Sequence, residues 1–215
     1  MKTIAAISTP AGNGGIGIIR ISGEDALKII DKIFVPVNKS ALKPYTMKLG
    51  NIIDSDGEVV DQVLVSYFKA PKSYTGEDIC EISCHGGNVS IQRILDIVIR
   101  NGALLAEPGE FTKRAFINGR IDLTEAEAVM DVISSGNEFA RKNSVSVLRG
   151  AVHKRIVELR NKILHETAFI ESALDDPEHY SLDGYPEKLK IILISLIDSI
   201  KKMIEDSGTG RVLKE

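Results

Sequence analysis

The spacing of hydrophobic positions changes along the chain. In the first 120 residues, short runs of β-branched and aliphatic residues are separated by glycine-rich turns, a pattern typical of strands. These runs predict strands over residues 3–8, 16–21, 49–53, 59–68 and 79–84. Beyond this point the apolar residues recur every three or four positions, which predicts amphipathic helices. The pattern indicates an α+β chain in which a mixed α/β region is followed by a helical region.

Turn and capping residues refine the first region. The turn at Gly12–Gly15 and the Asp56-Gly57 pair separate neighbouring strands, and they predict two hairpins. Two helices are expected as well. One follows a start at Ser22-x-x-Asp25 that resembles a capping box, and the other follows Gly86-Gly87.

The second region is predicted to consist of long helices. Thr124 to Glu127 resembles a capping box and marks the first helix start. An apolar stripe from Val145 to Leu174 predicts one long amphipathic helix, and a second stripe from Leu189 to Met203 is closed by Ser207-Gly208. A helical bundle normally has four helices. Two or three helices that are apolar on one side therefore predict an incomplete α-helical bundle.

Glycine content divides the chain at the same place. Thirteen of the 18 glycines lie in residues 1–120 and five in residues 121–215. Because glycines mark turns, this places a domain boundary between Asn118 and Thr124. The expected domains are residues 1–119 and residues 120–215.

The composition is that of a folded protein and gives no sign of a membrane segment. The chain is 43% hydrophobic and 27% charged. Its longest aliphatic run, Ile191 to Ile194, is far below the ~20 residues that span a bilayer. Two cysteines cannot form a disulfide framework, and no secretory leader is recognisable. We expect a cytoplasmic protein without a membrane partner.

The net charge of −3 conceals a strong local polarity. Residues 138–162 hold seven Lys or Arg and two Glu, a local charge of +5, whereas residues 163–187 hold seven acidic residues and no Lys or Arg. Solvated helix faces explain such a pattern most simply. The functional alternative is a basic strip that binds RNA phosphates.

A glycine motif near the N-terminus does not fit the function that its spacing suggests. Gly12, Gly14 and Gly17 match the dinucleotide-binding string Gly-x-Gly-x-x-Gly. In that fold the third glycine opens a helix, whereas here a β-branched run follows Gly17. A glycine hairpin turn is therefore favoured over a dinucleotide site.

Alternation along one predicted strand separates core from candidate ligand residues. Cys80, Cys84 and His85 are too few for the four ligands of a structural zinc site. Alternation instead places both cysteines in the core and puts Glu81 and His85 on the polar face, beside a helix N-terminus that favours an anion or polar ligand. Glu81 is a candidate ligand-binding residue, with a solvated strand face as the alternative.

Two arginines in the segment 108–122 are further candidates. Arg114 and Arg120 are compatible with solubilising roles. The planar fork of arginine also suits a ligand carboxylate, and Arg120 follows an Asn-Gly turn in a loop, where binding residues are common.

Four motifs occur in a fixed order along the chain. They are Thr9-Pro10-x-Gly12-x-Gly14-Gly15-Ile16-Gly17-Ile18-Ile19-Arg20-Ile21-Ser22-Gly23, Tyr74-Thr75-Gly76-Glu77-Asp78, Cys84-His85-Gly86-Gly87, and Pro108-Gly109-Glu110-Phe111-Thr112-x-Arg114-Ala115-Phe116-x-Asn118-Gly119-Arg120-x-Asp122-Leu123-x-x-Ala126-Glu127-Ala128. Together they closely resemble the N-terminal half of the tRNA modification GTPases called MnmE or TrmE.

The resemblance implies a function for the first domain. In the family, an α/β domain similar to the folate-binding domains of aminomethyltransferases binds a tetrahydrofolate derivative, here 5-formyl- or methylene-tetrahydrofolate, and forms the homodimer. The family's folate-contacting positions correspond to Arg20, Glu81 and Arg120. Arg120 stands where the family often has lysine. The resemblance assigns no catalytic residue and no metal ligand to this chain.

For the whole protein, the resemblance implies a helical domain interrupted by a GTPase domain that uses GTP, Mg²⁺ and K⁺. The family acts with the flavoprotein MnmG on C5 of the wobble uridine in tRNA. This sequence has no Gly-x-x-x-x-Gly-Lys-Ser/Thr loop and lacks the C-terminal Cys-x-Gly-Lys of the family. We therefore expect a fragment that stops before the GTPase domain, hydrolyses no GTP by itself and contacts tRNA weakly or indirectly.

Three hypotheses follow from the sequence. The leading one is a folate-binding and dimerising fragment of a tRNA modification GTPase. The second is a stand-alone aminomethyltransferase-like enzyme, which would need a general acid or base that no constellation of residues here supplies. The third is a dimerisation and helical scaffold without a ligand.

Overall fold

The computed structural model of the chain describes residues 1–10, 12 and 14–212, and the side chains among them as far as residue 206. These residues form two compact units, Met1–Ile121 and a second unit that begins at Asp122. The first unit combines a sheet with helices and the second is helical, which confirms the predicted α+β class. None of the helices in the described part of the chain has the length and apolar character required to cross a bilayer.

The first unit is built on a seven-stranded sheet. Its elements are β1 (Ile4–Ile7), β2 (Gly17–Ser22), α1 (Ala26–Ile33), β3 (Phe34–Pro36), β4 (Met47–Ile53), β5 (Val59–Phe68), β6 (Ile79–Cys84), α2 (Asn88–Arg100), β7 (Leu104–Leu105) and α3 (Glu110–Ile117). The strand order is β3-β4-β5-β6-β2-β1-β7, and all neighbours are antiparallel except β1 and β7. Strands β2 and β6 thus lie near the centre of the sheet.

One face of the sheet forms the core with helices α1 and α2. Alternate residues of the two central strands, such as Ile21 and Ile82, are fully buried in the same cluster as Ile30 of α1 and Ile94 of α2. Each fully buried aliphatic side chain contributes about 1.5–3 kcal/mol to folding. The helices therefore cover one sheet face and leave the other to carry polar residues.

Both predicted hairpins are confirmed. Strand β1 pairs with β2 across the glycine turn, of which Asn13 lies outside the described residues. Strand β4 pairs with β5 across Asp54–Gly57. Gly17 lies in strand β2 where a Cβ atom would collide with Ile91 of α2, so close strand–helix packing accounts for the third glycine of the string.

The predicted cap of α1 is wrong. The helix begins at Ala26 after Asp25, whose side chain makes no capping hydrogen bond. Ser22 is the last residue of β2, and its hydroxyl donates to Glu77 at 2.7 Å. Pairing of Ser22 with Ile79 continues the strand through this residue, so the sheet determines its place rather than the helix.

The second unit contains α4 (Leu123–Ser134), α5 (Glu138–Leu148), α6 (Ala151–Asp175) and α7 (Tyr185–Val212). The capping box at its start exists two residues earlier than predicted. Asp122 accepts from the backbone N–H of Glu125, and the Glu125 side chain accepts from the backbone N–H of Asp122. The pKa of Asp122 is lowered chiefly by that N–H bond from Glu125.

Two predictions about helix bounds are wrong. One predicted helix is interrupted, and another continues beyond its predicted end. The stripe from Val145 to Leu174 is not one helix, because Gly150 adopts φ +78 and separates α5 from α6. This left-handed conformation is open to glycine and ends a helix. Helix α7 in contrast continues through Gly208 to Val212. A glycine inside a helix costs only about 1 kcal/mol, which its neighbours can offset.

The apolar stripes of α6 and α7 remain partly uncovered. They line an open groove of about 610 Å³ with Ile156, Leu159, Ile163, Ile200, Met203 and Ile204. The described part of the unit has four helices rather than the predicted two or three, and the facing stripes of α6 and α7 still leave this apolar surface open.

Candidate ligand site: an arginine–glutamate pair with two aromatic rings beside the arginine

The register of β2 and β6 brings two predicted site residues together. Arg20 lies directly opposite Glu81 in this antiparallel pair. The residues on either side of them along both strands point into the core. Arg20 and Glu81 therefore project from the opposite sheet face, and the predicted alternation of β6 is confirmed.

Arg20 and Glu81 form a partly exposed ion pair. The Nε atom of Arg20 donates to Oε1 of Glu81 at 2.8 Å, and its Nη2 atom lies 2.7 Å from the same oxygen. The side chains are 27% and 22% exposed, respectively. Oε2 of Glu81 and Nη1 of Arg20 have no hydrogen-bond partner among the described residues. The pair can thus accept and donate further hydrogen bonds without first being broken.

Two aromatic rings flank the Arg20 guanidinium. Its Cζ atom lies 5.3 Å from the ring centroid of Tyr74 and 5.6 Å from that of Phe111. Both distances are within the range of a cation–π contact. Tyr74 comes from the loop between β5 and β6, and Phe111 comes from α3. The sequence shows both residues within motifs, but no spacing rule predicts that they meet at Arg20.

Arg114 is a buried ion-pair residue. Only 4% of it is exposed. Its Nη1 atom donates to both carboxylate oxygens of Glu77 at 3.2 and 3.1 Å, and its Nε and Nη2 atoms donate to Oε1 of Glu110 at 3.2 and 2.8 Å. Neither a solubilising role nor direct contact with a ligand carboxylate fits this environment, so both interpretations of Arg114 are wrong. Burial alone would raise the pKa of Glu110, but the Glu107 N–H and Arg114 lower it.

Arg120, the third predicted site residue, lies beside the loop between β5 and β6 that carries Tyr74. Its side chain is exposed, and its Nε atom donates to the carbonyl oxygen of Ser73 at 3.0 Å. Among the described residues no ion pair joins Arg120 to Glu81. Arg120 is therefore connected to the ion pair indirectly. It binds Ser73, which precedes Tyr74, and the ring of Tyr74 lies beside Arg20.

His85 belongs to a separate contact. Its ring Nδ1 atom lies 2.6 Å from Asp61 on the neighbouring strand, and its backbone N–H donates to the same carboxylate at 2.9 Å. Within the described residues, no group of three or more His, Cys, Asp or Glu side chains is arranged to hold a metal ion.

The two cysteines are core residues, as predicted. Burial raises the pKa of Cys80 to about 12 and that of Cys84 to about 11. The Cys84 thiol donates to the carbonyl oxygen of Gly17 at 3.4 Å. Both groups are therefore protonated thiols at neutral pH.

Apolar side chains adjoin the ion pair on the outer sheet face. Ser66 on β5 lies opposite Glu81, and Met47 on β4 lies opposite Ser66. Leu64 and Leu49 form the next pair along these strands. Met47, Leu49 and Leu64 are 57%, 46% and 38% exposed, so the polar pair borders a sheet surface that is apolar and uncovered.

The seven Lys and Arg residues between positions 138 and 162 are all exposed. Arg141 and Lys142 pair with Glu138 on the same helix. For the other five, the structure shows no ion-pair partner among the described residues. These five are Arg149, Lys154, Arg155, Arg160 and Lys162.

We predict that neither cysteine reacts readily in the folded protein. Iodoacetamide at pH 8 should modify both at least about a hundredfold more slowly than in the denatured chain, because the attacking species is the exposed thiolate. Mass spectrometry measures the rates. Ser55→Cys on the exposed β4–β5 turn is the matched control and should react rapidly in the folded state. Rapid labelling of Cys80 or Cys84 would contradict their assignment to the core.

Comparison with known proteins assigns both units of the chain. Residues 3–120 match the family described as "GTP-binding protein TrmE N-terminus". Residues 123–215 match the family described as "MnmE helical domain".

Three relatives of the chain share the same name. The chain is 49% identical over 217 residues to the tRNA modification GTPase MnmE of Lachnoclostridium phytofermentans. It is 45% identical to the proteins of the same name from Carboxydothermus hydrogenoformans and Clostridioides difficile. Each alignment covers 99% of this chain and 47% of the relative, so the chain spans about half the length of these curated relatives.

Proposed function

The chain belongs to the family of MnmE tRNA modification GTPases, and from this membership we propose that it is the folate-binding and dimerising part of such a protein. The resemblance that the four motifs predict is confirmed. Residues 1–119 are the proposed ligand-binding and dimerisation domain, and residues 120–215 the proposed first part of the helical domain. The proposed users of GTP, Mg²⁺ and K⁺ are residues of the family's GTPase domain. Because these 215 residues hold no Gly-x-x-x-x-Gly-Lys-Ser/Thr loop, we expect them to hydrolyse no GTP by themselves.

The ion pair of Arg20 and Glu81 is the observation that supports a folate site. Oε2 of Glu81 can accept N–H donors from the aminopyrimidinone edge of a pterin. Nη1 of Arg20 and the exposed Arg120 can pair with the glutamate tail or polarise a one-carbon group. The rings of Tyr74 and Phe111 add an aromatic surface of the kind that a flat heterocycle contacts. The side chains at this place therefore fit a tetrahydrofolate derivative.

Isothermal titration with 5-formyltetrahydrofolate tests this site. We expect binding by the wild-type chain and about tenfold to hundredfold weaker binding by Glu81→Gln, because the change removes a charged hydrogen-bond acceptor but keeps the shape of the side chain. Glu58→Gln makes the same change at an exposed position on the β4–β5 turn and should bind as the wild type does.

The outcomes separate the three hypotheses for the first domain. Absence of binding heat for the wild type contradicts the folate proposal and leaves the ligand-free scaffold. Equal affinity of Glu81→Gln and wild type contradicts only the assignment of Glu81. One-carbon transfer by the chain alone to a small acceptor would favour the aminomethyltransferase-like alternative.

The uncovered apolar side chains of the outer sheet face support dimerisation through the first domain. Met47, Leu49 and Leu64 are exposed in the single chain and share this face with Glu81. Large exposed apolar patches commonly mark protein interfaces. A second copy of the chain is the proposed partner at this surface.

We predict that a charge at this surface breaks the dimer. Sedimentation velocity should show a dimer for the wild type and at least about tenfold weaker self-association for Leu64→Lys, because the interface would bury an unpaired ammonium group. Val89→Lys on α2 is the control, since Val89 is 86% exposed and lies on the helical side of the unit. A monomeric wild type would contradict the dimer, and an unaffected Leu64→Lys variant would contradict this surface.

The basic residues of α5 and α6 support a weak contact with tRNA phosphates. The strip of residues 138–162 carries a charge of +5 although the chain as a whole carries −3. Phosphate contacts of this kind are independent of sequence and weaken with salt. Together with MnmG, the family partner, this contact is proposed to place the wobble uridine of tRNA for modification at C5.

We predict that reversing two charges in this strip weakens tRNA retention. In filter binding at low salt, Lys154→Glu with Arg155→Glu should bind several-fold more weakly than wild type and show a shallower salt dependence, because two phosphate contacts are lost. The matched control is Lys201→Glu with Lys202→Glu, which changes two adjacent exposed lysines of α7 by the same total charge. Equal losses in both double variants would show a response to net charge alone and contradict the strip.

A further inference from the structure

The aromatic rings beside Arg20 are carried by two segments that a partly buried polar cluster connects. We call this the Glu77 cluster, and it consists of Ser22, Thr75, Glu77, Glu110 and Arg114. Ser22, at the end of β2, donates to Oε2 of Glu77 at 2.7 Å and shares a hydrogen bond with Thr75 at 2.8 Å. The backbone N–H of Glu77 donates to the Thr75 hydroxyl at 3.2 Å. These hydrogen bonds join the loop between β5 and β6, which carries Tyr74, to strand β2, which carries Arg20.

Arg114 connects this loop to helix α3. One side of its guanidinium binds Glu77 on the loop, and the other side binds Glu110 in the first turn of α3. Among the described residues, no hydrogen bond or ion pair joins Arg114 to Arg20 or Glu81. The arginine therefore touches the supports of the candidate ligand site and not the pair itself.

Three weaker contacts surround this connection. The Tyr74 hydroxyl shares a hydrogen bond with that of Thr112 at 2.8 Å. Asn118 Nδ2 donates to the carbonyl oxygen of Thr75 at 2.8 Å, and Arg120 Nε donates to that of Ser73. All three join the loop to α3 or to the residues just after it. None of them is an ion pair, and Asn118 and Arg120 are exposed, whereas Arg114 is 4% exposed.

The chemistry of a buried guanidinium suits a positioning role. Its planar fork binds two carboxylates in fixed directions, which a lysine ammonium cannot do. Desolvation offsets much of the attraction in a buried ion pair, so its stability gain is modest, whereas its geometry is strongly specified. Tyr74 directly precedes Thr75, and Phe111 lies one helical turn before Arg114. Arg114 therefore joins the two segments that carry these rings.

We propose that Arg114 is a positioning residue of the ligand site, which acts through Tyr74 and Phe111 to hold the Arg20 guanidinium ready for the ligand. The ligand part of this inference rests on the proposed folate function. The positioning part concerns the chain without ligand and can be tested separately.

Nuclear magnetic resonance of the ligand-free chain tests the positioning directly. Protons held over aromatic ring faces resonate upfield, so the side-chain Hδ and Hε signals of Arg20 should be displaced upfield in the wild type. Arg114→Lys should lose most of this displacement, while the amide signals of buried β6 residues such as Ile82 stay in place. Arg93→Lys is the matched control, because it changes the exposed ion pair with Asp54 in the same unit and should leave the Arg20 signals unchanged.

Titration with 5-formyltetrahydrofolate tests the consequence for binding. We expect about tenfold weaker binding by Arg114→Lys and wild-type affinity for Arg93→Lys. If Arg114 acts through the ring, adding Tyr74→Leu to Arg114→Lys should weaken binding by less than the product of the two single effects. Multiplicative effects would overturn the proposed route through Tyr74.

The two readouts distinguish the possible failures. Unchanged Arg20 signals in a folded Arg114→Lys variant overturn the positioning inference, whatever the ligand does. Displaced signals in a wild type that binds no folate support positioning and overturn the folate function. Should Arg114→Lys fail to fold, Glu110→Gln provides the second test: it weakens the bond of Arg114 to α3 while keeping the shape of the side chain, and it should lower both the Arg20 displacement and the affinity. Unchanged Arg20 signals in that variant overturn the positioning inference.

Discussion

The antiparallel register between β2 and β6 is the constraint on which the candidate site depends. Because side chains alternate along a strand, this register places Ile19, Ile21 and Ile82 under the helices and Arg20 with Glu81 on the other face. A shift of this register by one residue would move the isoleucines to the outer face and the charged residues under the helices. Burial of the aliphatic set makes that exchange costly, so the hydrophobic core fixes the ion pair in place.

The site is assembled from segments of different rigidity. The ion pair stands on the two central strands, whereas Tyr74 lies in a loop and Phe111 in a helix of eight residues. Loops commonly carry binding residues but need support from the scaffold. Here Ser22 supports the loop from the sheet side and Arg114 supports it from the helix side. The same polar network thus connects the rigid part of the site with its aromatic walls.

Local patterns predicted what depends on neighbours in sequence. The two hairpins, the alternation of β6 and the candidate Glu81 follow from turn residues and period-two spacing. Such patterns do not reveal contacts between distant segments, so neither interpretation of Arg114, as a solubilising charge or as a partner of a ligand carboxylate, anticipates its ion pairs with Glu77 and Glu110. Gly150 and Gly208 show the same limit: the first separates two helices and the second lies within a helix, a difference that residue type and spacing do not reveal.

The mutual neutralisation of Arg20 and Glu81 has a kinetic consequence. Two opposite charges less than 3 Å apart cancel at a distance, so this pair projects little field beyond the sheet surface. The pair itself therefore adds little long-range attraction for an anionic small molecule. The site then distinguishes between molecules mainly by their dissociation rates, since only a bound molecule reaches Oε2 of Glu81 and Nη1 of Arg20.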